Sequence, residues 1–210
     1  MNLYAIFDKV GIRELLRNVY RIEVVGGEHI PASGPAILAA NHESLADPFF
    51  VGVATMRPIH WMAKAELWQN RFLAAIMDWF ETFPIERGGG DSNALRHGVK
   101  LLEEGALLGI FPQGTSRPYR NRPYMRGAAR LALATGAPLV PICTINTEKA
   151  LRPRKFKMGL PQITIRVAPA LRVEKQKATV AVARDLTRLL EDAIADLREP
   201  YGQPAHAWIE

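Results

Sequence analysis

Apolar and polar positions change period several times along the chain, and each change marks an element. Leu3, Ile6, Phe7, Val10, Leu15 and Val19 recur mostly at three- and four-residue steps, with Arg13, Arg17 and Arg21 among them. This predicts an amphipathic helix over residues 1–22, whose apolar side fits either a membrane surface or the domain core. RIEVVG then reads as a short strand, EHIPASGP as a turn-rich connection and AILAA as a buried strand. The polar run NHESLADP follows, and Asp47 before Pro48 predicts a helix start, with Asp47 as N-cap and FFVGVATM as the helix.

Farther on, the pattern predicts a brief strand over 59–62, a helix over 70–81 and a strand, FPI, ending at Arg87. Asp91 or Ser92 caps a helix carrying Leu95, Val99 and Leu102 that stops at Gly105. ALLGIF is the next buried strand, GAARLALATG a helix closed by Gly136, APLVPICTI another apolar strand and QITIRV a late one. A terminal helix over 176–198 has Val180, Leu186, Leu189, Leu190, Ile194 and Leu197 as its apolar stripe. Alternating strands and helices predict an α/β domain, residues 23–210, with a mixed, mainly parallel central sheet flanked by helices.

Composition agrees with one folded unit. At 210 residues, with 48% hydrophobic and 23% charged side chains, the chain excludes a disordered tail, a collagen-like fibre and a disulfide scaffold. The single cysteine, Cys143, lies in the apolar run VPICTI and reads as a core residue in a reducing compartment. No run reaches the length of a membrane-spanning helix, and Asp8, Lys9, Arg13 and Glu14 break any secretory leader pattern. The expectation is a soluble or peripheral intracellular protein.

The net charge of +6 is local in origin. Five arginines and no acid fall between Arg117 and Arg130, and five more cations and no acid between Lys149 and Lys157. Taking these ten from the 27 basic residues leaves fewer cations than the 21 acidic residues. Such segments favour phosphate groups, an anionic bilayer or an acidic protein partner. Nucleic acid is not expected, because only Tyr119, Tyr124 and Phe156 lie among the cations as stacking groups.

The strongest chemical signal is Asn41-His42-Glu43-Ser44-Leu45-Ala46-Asp47, a His and an Asp five positions apart in a polar loop between a buried strand and a helix start. A turn entering the helix can fold Asp47 back onto the imidazole, fixing its tautomer and leaving the other ring nitrogen to accept a proton. This pair is a base and its orienter; a substrate hydroxyl can supply the nucleophile. Three further segments accompany it. Phe83 to Arg87 ends a strand in an arginine, Phe111-Pro112-Gln113-Gly114-Thr115-Ser116-Arg117 follows a buried strand, and Val140-Pro141-Ile142 lies in the next one.

In these four ordered blocks, from about Val24 to Ile142, the sequence resembles the glycerolipid acyltransferases. The resemblance implies that His42 is the general base with Asp47 as its partner, and that Arg87 binds the acceptor phosphate. Gln113, Gly114, Thr115, Ser116 and Arg117 match the substrate-binding block, which usually reads Phe-Pro-Glu-Gly-Thr-Arg. Here Gln113 stands for the usual Glu, Ser116 intervenes before Arg117, and Glu81 and Thr82 stand where a glycine is common in the second block. Gln can orient an acceptor but cannot hold a negative charge.

The resemblance further implies an acyl-CoA or acyl carrier protein thioester as donor, lysophosphatidate as acceptor, no separate cofactor and no metal, at the cytoplasmic face of a membrane. The oxyanion of the tetrahedral intermediate would need backbone N–H or side-chain donors, expected near Gly114. No acyl-enzyme is needed, so Cys143 is dispensable. Glycerol 3-phosphate, another lysophospholipid or a non-glycerolipid alcohol are alternative acceptors, and a non-catalytic binder of anionic membranes is the alternative outside enzymes. Other loop chemistries fit poorly. Pro118 replaces the last glycine of a Gly-x-Ser-x-Gly elbow, Thr115 stands where a Walker loop needs Lys, and the five histidines form no metal-binding pattern.

Overall fold

The computed structural model describes residues 11–79, 82–85, 92–116, 123–150 and 160–198. Strand β1 is Glu23–Val25, β2 Ala36–Ala40, β3 Ile59–Lys64, β4 Phe83–Ile85, β5 Leu107–Ile110, β6 Leu139–Ile145 and β7 Thr164–Val167. They form one sheet in the order β1-β7-β6-β2-β5-β3-β4. Every neighbouring pair is parallel except β6 with β7. This is the mixed, mainly parallel sheet of an α/β domain that the alternation of patterns predicts.

AILAA is the centre of the sheet because it can be buried on both faces. All five residues of β2 are buried, and alternation sends Ala36, Leu38 and Ala40 to one core and Ile37 and Ala39 to the other. The first core receives Phe50 and Val51 from α2 (Asp47–Gly52), and Leu16 and Tyr20 pack on it from α1 (Ile12–Val19) and its end. The second is covered by α4 (Ser92–Glu103), α5 (Gly127–Thr135) and α6 (Val180–Asp196), which contribute Leu102, Leu131, Leu190 and Ile194. A remaining helix, α3, spans Arg71–Trp79 before the edge strand β4.

Three local expectations need correction. Asp47 is the first helical residue and Ala46 occupies the N-cap position without a side-chain bond, because the Asp47 carboxylate turns back into the preceding loop. The helix also ends at Gly52, short of the expected run. In α6 the start shifts to Val180, since the Thr179 hydroxyl caps the Val182 amide. Its buried stripe is Ala183, Thr187, Leu190 and Ile194, while Val180 and Leu189 face solvent. Apolar periodicity overlooked Thr187, whose hydroxyl donates to the Ala183 carbonyl and so enters the core without an unpaired group.

The third concerns α1, the described part of the N-terminal helix. Arg13, a polar position by pattern, is buried and donates to the carbonyls of Gly52, Val53 and Thr55, closing the C-terminal end of α2. Leu15 and Val19, from the expected apolar face, point outward at 59% and 40% exposure. The helix therefore packs through Leu16 and Arg13 and presents a separate apolar pair outside. Residues 1–10, with Leu3, Ile6, Phe7 and Val10, lie outside the described residues.

Candidate active site

Parallel register brings the two motif loops together. Ala39 pairs with Ile110, so three residues beyond each strand position His42 stands beside Gln113. The backbone N–H of His42 donates to Gln113 Oε1 at 2.6 Å. On the other side of β2, Ala40 pairs with Ile142, and the Asn41 side chain continues that ladder after the backbone leaves it. Asn41 Nδ2 donates to the Thr144 carbonyl at 2.9 Å, and its Oδ1 accepts from the Thr144 amide at 2.6 Å and from the Thr144 hydroxyl. Asn41 is buried and thus extends the sheet by one side chain, fixing where His42 begins.

The loop folds Asp47 onto His42. Asp47 Oδ2 lies 2.8 Å from His42 Nδ1 and accepts the backbone N–H groups of Glu43 at 2.7 Å and Ser44 at 2.8 Å. Asp47 is fully buried, and the His42 side chain is 14% exposed. A carboxylate placed this way selects the tautomer with hydrogen on Nδ1 and leaves Nε2 as the proton acceptor. Asp47 Oδ1 is buried with no hydrogen-bond partner among the described residues, so one oxygen carries all three bonds.

An aromatic column completes the mount. The His42 ring stacks on Phe111, centroids 4.1 Å apart and planes at 16°, and Phe111 stacks on Trp61 at 4.7 Å and 8°. Trp61, in β3, is buried against Gly109 of β5. A Cβ at Gly109 would lie 2.5 Å from Trp61 Cε3, closer than real contacts allow. The motif residues alone do not disclose this column, although a lone Gly inside an apolar strand signals close approach. Gly109→Ala is expected to destabilise by about 1–3 kcal/mol, a fall of about 2–12 °C in melting temperature, with a lowered kcat as the stack under His42 shifts. Calorimetry with initial-rate assays checks both.

Gly114, with φ of 70°, makes the turn after β5, and its N–H donates to the Phe111 carbonyl at 2.9 Å. That amide is committed to the turn. Thr115 and Ser116 follow in irregular, partly exposed backbone. Arg87 and Arg117 lie outside the described residues, as do most of the cations of the two basic segments. Tyr124 packs against the second core rather than standing free to stack. Among the described residues no three His, Cys, Asp or Glu side chains gather as a metal site requires, and no helix is long and apolar enough to cross a membrane.

The Gln113 bond explains how this chain tolerates an uncharged residue there. An amide oxygen accepts the His42 N–H as a carboxylate would. Gln113→Glu is expected to leave kcat within about threefold, while Gln113→Ala, which leaves that N–H unpaired, lowers it about tenfold. Rates of the two variants beside their circular dichroism spectra decide this. Cys143, fully buried in β6, has its thiol pushed up to about 11 by burial, so it stays protonated near neutral pH and is no nucleophile.

A family model described as Acyltransferase matches residues 21–145, from β1 through β6. The 1-acyl-sn-glycerol-3-phosphate acyltransferase of Bacillus subtilis (strain 168) is 36% identical over 121 residues, 57% of this chain and 60% of that protein, so the match spans less than two thirds of that relative. The protein of the same name from Borreliella burgdorferi is 28% identical over 181 residues, 81% of this chain and 72% of its own length. The crystal structure of the 1-acyl-sn-glycerophosphate (LPA) acyltransferase PlsC from Thermotoga maritima shares the fold, with a TM-score of 0.67 at 18% identity over 90% of this chain and 80% of that one. The family match covers more than half of the chain and contains the loop that joins His42 to Asp47, and on that ground this chain belongs to the acyltransferase family.

Proposed function

We propose that the protein transfers a fatty acyl group from an acyl thioester to the free hydroxyl of lysophosphatidate, giving phosphatidate. The observation that carries this reading is the 2.8 Å contact between His42 Nδ1 and buried Asp47 Oδ2 within an acyltransferase fold. With Nδ1 held, Nε2 takes the proton of the acceptor hydroxyl as its oxygen attacks the thioester carbonyl. The tetrahedral intermediate collapses with loss of the thiolate, which recovers the proton from the imidazolium. The charge of Asp47 stabilises that imidazolium in both steps. No acyl-enzyme forms and no cofactor beyond the donor is required.

Arg87 and Arg117 bind the acceptor phosphate in this reading, a task suited to the guanidinium fork. Gln113 uses its oxygen on His42 and offers the acceptor its amide nitrogen. The donor is acyl-CoA or acyl carrier protein, whose phosphates or acidic surface suit the basic segments. The protein works as a peripheral one on the cytoplasmic face of a membrane, with outward Leu15 and Val19 and the neighbouring Arg17 meeting anionic lipid.

The test is product analysis by mass spectrometry, with acyl-CoA and acyl carrier protein donors crossed against lysophosphatidate, glycerol 3-phosphate and lysophosphatidylcholine. Phosphatidate formed from lysophosphatidate is the expected product. Acylation of a different acceptor alone overturns the substrate assignment, and no product from any pair overturns the enzymatic one.

A further inference from the structure

The loop that carries His42 and Asp47 is gripped on two sides of the sheet. On the first core it rests on the Phe111 and Trp61 rings. On the second, the Glu43 carboxylate accepts from Arg198 Nη2, with the two side chains only 7% and 14% exposed. Arg198 follows α6, far outside the 21–145 stretch of the family match. The chain there is tied down on both sides: the Arg198 amide donates to the Ala195 carbonyl at 2.9 Å, and Arg166 of β7 donates to the Leu197 carbonyl at 3.3 Å. One and two turns earlier, Ile194 and Leu190 are buried in the second core.

We propose that Arg198 is a positioning residue of the active site, its guanidinium holding Glu43 and thereby the backbone that presents His42 to Asp47. The linkage is short. The residue that Arg198 holds by its side chain is the one whose own N–H donates to Asp47 Oδ2 at 2.7 Å, and it is bonded directly to His42. A buried ion pair adds little net stability against an apolar replacement, but it fixes geometry because either partner alone is an uncompensated charge. Burial lowers the Arg198 guanidinium, and the Glu43 carboxylate beside it outweighs this and holds it above its usual value. Burial likewise raises the neighbouring Tyr124 phenol and Cys143 thiol, which stay neutral.

The catalytic part of this proposal rests on the acyltransferase reading; the structural part does not. The experiment therefore pairs two readouts on the full chain, amide hydrogen exchange over residues 41–47 and steady-state kinetics with lysophosphatidate, both well below each variant's melting temperature. In Arg198→Met the Glu43 and Ser44 amides are expected to exchange about tenfold faster or more, while β2 and β5 keep wild-type protection. The kcat falls about tenfold or more with KM within about threefold, and Arg198→Lys restores part of both. Glu43→Gln with Arg198→Met, which leaves no unpaired buried charge, shows the same loosened loop. Wild-type exchange in the loop, or a rise shared equally by all strands, overturns the proposal. Absence of wild-type turnover overturns the function instead, and the exchange result still decides the role of Arg198.

Discussion

Replacing His42 by Ala is expected to lower kcat for acyl transfer about 10³- to 10⁴-fold with little change in the fold. General base catalysis by a positioned side chain contributes about 10²- to 10⁴-fold. The upper part of that range applies here because no other described group lies on Asp47 to accept the proton in its place. The structural loss is small: one ring leaves the end of the stack on Phe111, an interaction of about 0.5–1.5 kcal/mol. At this chain length that lowers the melting temperature by only about 1–6 °C. The bonds that shape the loop survive, since Gln113 contacts the backbone of residue 42 and Asp47 keeps the Glu43 and Ser44 amides. A kcat within tenfold of wild type would mean that another group removes the proton. Single-turnover rates beside calorimetry on the same sample make the comparison.

Asp47→Asn separates the charge of Asp47 from its geometry. An amide oxygen placed where Oδ2 now sits still accepts from Glu43 and Ser44 and faces His42 Nδ1. The amide nitrogen then takes the place of Oδ1, which is buried without a partner, so one donor is left unpaired at about 1–3 kcal/mol. The larger effect is chemical. A neutral partner no longer stabilises the imidazolium that forms as the acceptor hydroxyl loses its proton, and kcat is expected to fall about 10²- to 10⁴-fold. KM for lysophosphatidate is expected to stay within about threefold, since Asp47 is fully buried and its carboxylate is turned onto His42 and the loop amides rather than to solvent. Retention of wild-type kcat would reduce Asp47 to a structural peg for the loop. Asp47→Ala is a poorer test, because it frees two buried N–H groups and unsettles the loop itself.

Much of the site is legible in sequence because its parts are short and local. AILAA marks the central strand by being apolar at every position, and the His and Asp that follow share one loop. The sheet register then brings Gln113 to His42 without further instruction, as both lie three residues past paired strand positions. What periodicity does not disclose is contact between distant segments through residues it scores as polar. Arg13 and Thr187 are buried because each finds backbone carbonyls to donate to inside, which no hydrophobic pattern records. Asp47 next to Pro48 reads as an N-cap, and only the folded loop shows its carboxylate turned onto three donors behind it. The partnership of Glu43 with Arg198, 155 positions away, has no local signature.

Direct transfer through His42 is tested by the initial rate of thiol release from an acyl thioester by the wild-type protein, with and without lysophosphatidate. A base that activates the acceptor hydroxyl, with no protein nucleophile, predicts release only when the acceptor is present, one thiol for each phosphatidate formed. Release at the same rate without acceptor, or a burst of thiol equal to the enzyme before any phosphatidate appears, would contradict direct transfer through His42.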